Sequence, residues 1–173
     1  MQYIVICFIL LFLYSPALAD TLQGKVVKIA DGDTVTIADD SGMKHRIRLA
    51  GIDAPEKDQP YGDISTQSLV ELVSSKTVTI EYGKRDRYER IVGKVLVDPP
   101  GEVFCMAIDC VKKIDAGLEQ IEAGLAWHYK HYQMEQSEED RGLYSEAELE
   151  ARRKPIGLWK DDEPMAPWVW RRK

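Results

Sequence analysis

Alternating apolar and polar positions divide most of the chain into short strands separated by turns. Many of the alternating positions carry β-branched residues, which favours strands over helices. Turn residues at Asp31-Gly32-Asp33 and at 39–42 separate the first three strands, which predicts a meander with short connections. The predicted strands cover residues 24–30, 34–38, 43–49, 77–82 and 91–97.

Apolar residues at helical spacing predict helices between and after these strands. The first helix covers residues 64–75, with Asp63 as its N-cap. Its apolar face is formed by Leu69, Leu72 and Val73. A second, shorter helix follows the last strand, and its apolar positions are Leu118, Ile121 and Leu125.

The third predicted helix begins after Ser137, because Ser137 and Asp140 have the spacing of a capping box. It ends at Lys154, because Pro155 follows. Its apolar stripe consists of Leu143, Ala147 and Ala151. Together these elements predict an α+β, mainly β fold, a five-stranded OB-fold barrel with three helices. We expect the tail tryptophans to cover the core, namely Trp159, Trp168 and Trp170.

The first nineteen residues carry no charged side chain and are almost wholly apolar from 4 to 14. They end in Ala17-Leu18-Ala19, a small-x-small cleavage site, which together predicts a signal peptide over 1–19. A retained N-terminal anchor is the alternative. Residues 20–173 show no linker or repeat, so we expect one domain that is exported to the periplasm or secreted. This mature domain is expected to be a monomer with no stable membrane association.

Two cysteines remain after this cleavage, Cys105 and Cys110. In an oxidising compartment they are a candidate disulfide, and the alternative is a pair of small buried apolar residues. 

The net charge of −6 is unevenly distributed along the 173 residues. The segment 135–150 holds seven acids and one base, whereas 84–94 holds five bases and two acids. Because the local field decides where a phosphate binds, the acidic total does not exclude a nucleic-acid partner. It does predict weak steering and low non-specific affinity.

Three acids lie where the predicted meander brings strand ends together. Asp31 and Asp33 follow the first strand, and Asp53 follows the third, at the same end of the sheet. Clustered carboxylates repel one another unless a cation lies between them or one is protonated. Their oxygen ligands favour Ca²⁺ or Mg²⁺ over zinc. The plainer alternative for Asp31-Gly32-Asp33 is a simple hairpin turn.

Basic residues near these acids could bind a phosphate. Arg48 precedes Asp53 by five residues, and Arg90 lies beyond the fourth strand. A guanidinium group matches two phosphate oxygens at once, although surface arginines are common. Glu56 follows Pro55, which stiffens the loop, so its carboxylate could orient or deprotonate a water.

These motifs in this order resemble the staphylococcal nuclease (thermonuclease) family. They are DGDT at 31–34, Arg48, DAPE at 53–56 and DRYER at 86–90. The resemblance covers essentially the whole mature chain and includes GLAW at 124–127 and GLW at 157–159. It implies an OB-fold barrel and a Ca²⁺-dependent endonuclease that cleaves DNA and RNA to leave 3′-phosphate ends.

The resemblance also implies a role for each site residue. Asp33, Asp53 and the carbonyl of Ala54 would hold one Ca²⁺, with Asp31 in its outer shell. The implied catalytic residues are Glu56, as base or water-positioning group, and the phosphate-binding Arg48 and Arg90. The implied substrate-binding residues are Arg87, Tyr88 and Tyr132.

The chain departs from the family pattern at two of these positions. Glu89 stands where the family usually has Gly, which adds a negative charge beside Arg90 and removes backbone freedom. We expect its side chain to point to solvent. Ala54 replaces a commoner Thr, which matters little if only its carbonyl binds the ion. Two other readings stay open at this stage, a nucleic-acid-binding module without cleavage and a barrel that binds Ca²⁺ for stability alone.

Overall fold

The computed structural model describes residues 20–99 and 113–173. The predicted signal peptide at 1–19 and the cysteine pair Cys105 and Cys110 lie outside these ranges. Both therefore stay predictions.

Five long strands close into a barrel, as the alternating pattern predicts. They are β1 (Asp20–Asp31), β2 (Thr34–Ala38), β3 (Lys44–Leu49), β5 (Thr77–Arg85) and β6 (Ile91–Val97). Neighbouring strands pair antiparallel in the order β3-β2-β1-β5-β6, and β3 closes on β6 in parallel. Three two-residue strands complete the set, β4 (Ile52–Asp53), β7 (Ile114–Asp115) and β8 (Trp127–His128). The α+β barrel prediction is confirmed.

Strand β1 begins four residues earlier than its sequence pattern indicates. The polar stretch 20–23 has weak alternation, but it pairs with β5 from Asp20 opposite Tyr82 to Lys25 opposite Thr77. The neighbouring strand therefore supplies the order that the local sequence does not.

Four α-helices and two 3₁₀ segments pack around the barrel. They are α1 (Gly62–Val73), α2 (Ala116–Glu122), α3 (Glu138–Arg153) and α4 (Pro167–Trp170), with 3₁₀ turns over Lys130–Glu135 and Gly157–Lys160. No helix within the described ranges has the length and apolar character needed to cross a bilayer.

The helix prediction is wrong in two details. Asp63 does not cap α1, because the helix already begins at Gly62. Tyr61 occupies the cap position, in the left-handed region at φ 69°. Leu143 is exposed on α3, and Tyr144 takes the inner position with only 2% of its surface exposed. The cap at Ser137 is confirmed, since its Oγ accepts a hydrogen bond from the Asp140 N–H at 3.0 Å.

The barrel interior is filled by aliphatic side chains that are essentially inaccessible to solvent, among them Val35, Ile37, Ile47, Leu49, Ile80 and Val95. Of the tail tryptophans, Trp159 is buried, with its ring centroid 4.4 Å from that of Trp127. Trp168 and Trp170 are only half-buried. Trp168 stacks on Tyr129 at 5.3 Å, so the tail lines an opening in the molecule as well as covering the core.

Candidate active site

A cleft of about 630 Å³ opens at one end of the barrel. Its walls come from the β1–β2 turn, the chain after β3, the β5–β6 hairpin, the 3₁₀ turn after β8 and the C-terminal tail. Every site residue predicted from the sequence lies along it: Asp31, Asp33, Arg48, Asp53, Ala54, Glu56, Arg87, Tyr88, Arg90 and Tyr132.

The β1–β2 turn packs against helices α1 and α2, which hold it in place. A Cβ atom at Gly32 would lie 2.0 Å from Oγ of Ser65 in α1, so only glycine lets this turn approach the helix. The buried side chain of Gln120 in α2 donates hydrogen bonds of 2.9 Å to the carbonyls of Gly32 and Ser65. The two helices therefore hold the aspartates on either side of Gly32 in place.

Asp33 and Asp53 converge on one guanidinium group. Nη2 of Arg48 lies 3.1 Å from Oδ2 of Asp33 and donates a 2.8 Å hydrogen bond to Oδ1 of Asp53. Oδ2 of Asp33 also accepts a 2.8 Å hydrogen bond from the N–H of Ala54. The two acids that the sequence places twenty residues apart thus share one positively charged partner.

Burial opposes the ionisation of Asp31 and Asp53. Burial and the neighbouring charge of Asp33 raise the pKa of Asp31 to about 6. Burial also raises the pKa of Asp53, although hydrogen bonding from Arg171 and the charge of Arg48 act in the opposite direction. Carboxylates in such surroundings gain from a nearby cation, which agrees with the expected metal site.

The side chains that the structure describes do not by themselves form a complete metal shell. Within residues 20–99 and 113–173, no three His, Cys, Asp or Glu side chains converge as a metal-binding group. An ion between Asp33 and Asp53 would therefore need backbone oxygen, water or substrate as further ligands. Ca²⁺ commonly takes such mixed oxygen shells.

Glu56 lies at the cleft rim in a tightly built loop. Oε1 of Gln59 accepts a 3.1 Å hydrogen bond from the N–H of Glu56, and the Glu56 carbonyl accepts one of 2.9 Å from the N–H of Gln59. A Cβ atom at Gly62 would lie 1.9 Å from that carbonyl oxygen, so glycine is needed where the loop enters α1. The loop fixes the backbone of Glu56 and leaves its carboxylate facing the cleft.

Arg90 is positioned by its own hairpin. Its Nε donates a 2.7 Å hydrogen bond to Oδ2 of Asp86, whose Oδ1 accepts from the N–H groups of Tyr88 and Arg90. Burial raises the pKa of Asp86, but these hydrogen bonds outweigh it and lower the pKa overall. Glu89 in the same turn is exposed, as expected, and has φ 60°. Its backbone thus takes a conformation that glycine would adopt without strain.

The predicted substrate-binding residues are the more exposed members of the set. Tyr88 is 61% exposed, with the guanidinium carbons of Arg87 and Arg90 4.9 and 5.5 Å from its ring centroid. Tyr132 is 47% exposed and lies across the cleft rim with Lys84 Nζ 5.1 Å from its ring. Rings held this way are free to stack against a base.

Sequence reasoning missed Arg171 in the C-terminal tail. Its Nη2 donates to Oδ2 of Asp53 at 2.7 Å, and its Nη1 donates to Oε1 of Glu56 at 2.6 Å and to Oδ1 of Asp53 at 3.2 Å. The hydrogen bonds to Asp53 and Glu56 raise the pKa of Arg171. The only local signal was a basic end after an aromatic run, which gives no indication of a cleft 118 residues away in sequence.

Comparisons with known proteins find similar proteins that are named nucleases or endonucleases. The family model described as staphylococcal nuclease homologue matches residues 46–161. A protein of Escherichia coli named an uncharacterized endonuclease is 39% identical over 166 residues, which cover 95% of each chain. A micrococcal nuclease of Shigella flexneri is 36% identical, over 95% of this chain and 88% of its own. An uncharacterized endonuclease of Haemophilus influenzae is 36% identical over 86% of this chain and 72% of its own.

Proposed function

Because the chain belongs to the staphylococcal nuclease homologue family, a family of nucleases, we propose that it is a Ca²⁺-dependent endonuclease acting on DNA and RNA. The observation that carries the proposal is that two aspartates, two arginines and a glutamate line one cleft. They are Asp33, Asp53, Arg48, Arg90 and Glu56.

The donor set fits a calcium ion. All candidate ligand atoms are oxygen, and the guanidinium group between Asp33 and Asp53 shows that these two acids accept a shared positive charge. The proposed ligands are Asp33, Asp53 and the carbonyl of Ala54, with Asp31 acting from the outer shell. When bound, the ion would supply positive charge against the diester anion.

Arg48 and Arg90 are proposed to bind the non-bridging phosphate oxygens. A phosphodiester anion repels an incoming nucleophile, so neutralising its charge is the first requirement of the reaction. Both side chains are held before substrate arrives, Arg48 by the two aspartates and Arg90 by Asp86. Removing one preorganised donor of this kind typically costs a factor of ~10²–10³ in rate.

Glu56 is proposed to act as general base. Its carboxylate takes a proton from a water whose oxygen forms the new bond to phosphorus. The bond from phosphorus to the 5′ oxygen breaks, and that oxygen takes up a proton from solvent water, which leaves a 3′-phosphate and a 5′-hydroxyl. A positioned base of this kind contributes a factor of ~10²–10⁴.

Substrate contacts outside the reacting phosphate are assigned to Arg87, Tyr88 and Tyr132. Arg87 would bind a neighbouring phosphate, and the two tyrosines would pack against a nucleotide. Contacts to phosphates and ring faces carry little sequence information, which supports activity on many sequences and on both DNA and RNA.

One assay tests the proposed activity. The mature domain is incubated with single-stranded DNA in Ca²⁺, with Ca²⁺ plus a chelator, and as Glu56→Gln in Ca²⁺. Glu122→Gln, an exposed glutamate on α2, is the matched control. We expect cleavage only by the unaltered domain and the control in Ca²⁺. Intact DNA in every tube would overturn the enzyme assignment, and equal cleavage in every tube would overturn the mechanism.

We also propose that residues 1–19 direct export and that residues 20–173 then act as a single monomeric domain. The proposal rests on the apolar leader and its cleavage pattern. Expression in a bacterial host with periplasmic fractionation tests it. A recovered protein whose mass corresponds to a start at Asp20 supports export, and one retaining Met1 contradicts it. Light scattering on the same sample measures the oligomeric state.

The proposed disulfide between Cys105 and Cys110 needs a separate measurement. Thiol alkylation of the exported, denatured protein with and without reductant reports the state of both cysteines. Protection from alkylation without reductant supports the bond, and full labelling without reductant contradicts it.

A further inference from the structure

We propose that Arg171 is a built-in cation that competes with Ca²⁺ for the carboxylate of Asp53 and is displaced from it when Ca²⁺ binds. This inference rests on the proposed calcium site.

The carboxylate of Asp53 already accepts three hydrogen bonds, all from guanidinium groups. Its Oδ1 accepts from Arg48 and Arg171, and its Oδ2 accepts from Arg171. Only 1% of Asp53 is exposed, so solvent cannot supply further space for a ligand. A calcium ion that takes an oxygen of Asp53 would lie against these two guanidinium groups, and the repulsion between like charges favours the departure of one of them.

Of the two arginines, Arg171 is the one expected to leave. The Arg48 side chain is 15% exposed, and its Nη1 donates a further 3.0 Å hydrogen bond to the carbonyl of Leu49. The side chain of Arg171 is 42% exposed, so water can solvate its guanidinium group after displacement.

The contact is nevertheless built into the fold. Arg171 caps the short helix α4, and Trp168 in that helix stacks on Tyr129 and packs edge-on against Trp127. The indole N–H of Trp170 donates a 3.2 Å hydrogen bond to Oδ1 of Asp58. These contacts hold the C-terminal tail at the cleft rim and place Arg171 beside Asp53 and Glu56.

A second consequence concerns Glu56. The same guanidinium group pairs with Glu56 at 2.6 Å, so the proposed base is neutralised whenever Arg171 is in place. Displacement of one side chain would thus release a metal ligand and the base together. Calcium binding and the activation of Glu56 are coupled through this single residue.

The test is calcium affinity without nucleic acid, measured by isothermal titration calorimetry on the mature domain. Arg171→Ala removes the competing cation, and we expect it to bind Ca²⁺ about tenfold more tightly than the unaltered protein. Arg171→Lys should be intermediate, because an ammonium group cannot pair bidentately. Arg172→Ala removes the same charge from an exposed neighbouring position and should leave the affinity unchanged.

Thermal denaturation gives a second readout. The rise in Tm on adding a fixed Ca²⁺ concentration should be larger for Arg171→Ala than for the unaltered protein or Arg172→Ala, because tighter binding stabilises the native state more.

The outcomes separate the two proposals. Equal calcium binding by the unaltered protein, Arg171→Ala and Arg172→Ala would overturn the role of Arg171 and leave the calcium site intact. Tighter calcium binding by Arg171→Ala and Arg172→Ala alike would indicate a general effect of net charge, and it would also overturn the specific role of Arg171. Absence of calcium binding in every variant would overturn the calcium site and with it this inference.

Discussion

The Nε atom of Arg90 donates a 2.7 Å hydrogen bond to Oδ2 of Asp86, four residues earlier in the same hairpin. The other oxygen of Asp86 accepts two backbone N–H groups of the turn. The carboxylate of Asp86 therefore stabilises the turn through one oxygen and orients the Arg90 side chain through the other.

Asp86→Asn is expected to separate these two functions. The amide oxygen can still accept from the turn, but its NH₂ group faces the Arg90 N–H and cannot accept from it. We expect kcat on DNA to fall about tenfold because Arg90 is less well positioned, with little change in Tm. A steady-state assay and a melting curve measure both. Unchanged kcat would show that Asp86 does not position Arg90 for the reaction. The second variant, Asp86→Ala, also loses the hydrogen bonds to the turn N–H groups and should therefore lower Tm as well.

Glu89→Gly is expected to stabilise the protein. Glu89 has φ 60°, a conformation that costs a residue with a side chain about 1–2 kcal/mol. Glycine would relieve this strain, but its larger conformational entropy in the unfolded chain cancels part of the gain in stability. The expected net gain is roughly 0.5–1 kcal/mol in the free energy of unfolding, measured by urea denaturation. Glu89→Ala keeps the strain and removes the charge, so an equal gain in that variant would assign the effect to charge instead.

Gln120→Leu is expected to loosen the aspartate turn. The substitution removes the buried hydrogen bonds to the carbonyls of Gly32 and Ser65. We expect a loss of about 2 kcal/mol or more in the free energy of unfolding, because buried carbonyls lose their donor. Calcium affinity should fall as well, since Asp33 lies in that turn. Gln67→Leu on the exposed face of α1 is the control, and a comparable loss there would remove the explanation.

His128 is expected to make stability fall in mild acid. His128 is 1% exposed, and its ring packs against Tyr144. Its Nε2 atom lies 2.8 Å from Oε1 of Gln136. The charged groups of Lys130 and Glu148 also lie nearby. Nδ1 has no hydrogen-bond partner among the described residues. Burial lowers the pKa of His128 below its ordinary 6.5, although Gln136 and Glu148 oppose this shift.

The sign of the pH effect follows from this lowered pKa. Below pH 6.5 the unfolded chain binds a proton that the folded protein excludes, so the contribution to stability is complete above 6.5 and decreases as the pH falls toward the folded pKa. Urea denaturation between pH 5 and pH 7 measures it. His128→Gln should flatten the slope relative to the unaltered protein, whereas the exposed His131→Gln should not. Identical slopes in all three proteins would contradict the assignment.

Local sequence was sufficient to predict the barrel and the location of most candidate site residues. Strand alternation fixes which face of β3 is buried, so Ile47 and Leu49 point inward and Arg48 lies on the opposite face, in the cleft. The turn at 31–33 and the loop at 53–56 then fall at the same end of a meander because consecutive strands are antiparallel. Short-range chemistry of this kind is encoded within a few residues of each motif.

The sequence by itself also predicted that Asp33, Asp53, Glu56, Arg48 and Arg90 lie together, and the structure places all five along one cleft. Only the tertiary structure showed that Tyr144 rather than Leu143 faces the core, because the position of α3 against the barrel, not its own periodicity, decides which stripe is buried. The same holds for Arg171. Its contact with Asp53 depends on the tryptophan packing that anchors a tail 118 residues away, and no local pattern encodes a contact made through so many intervening elements.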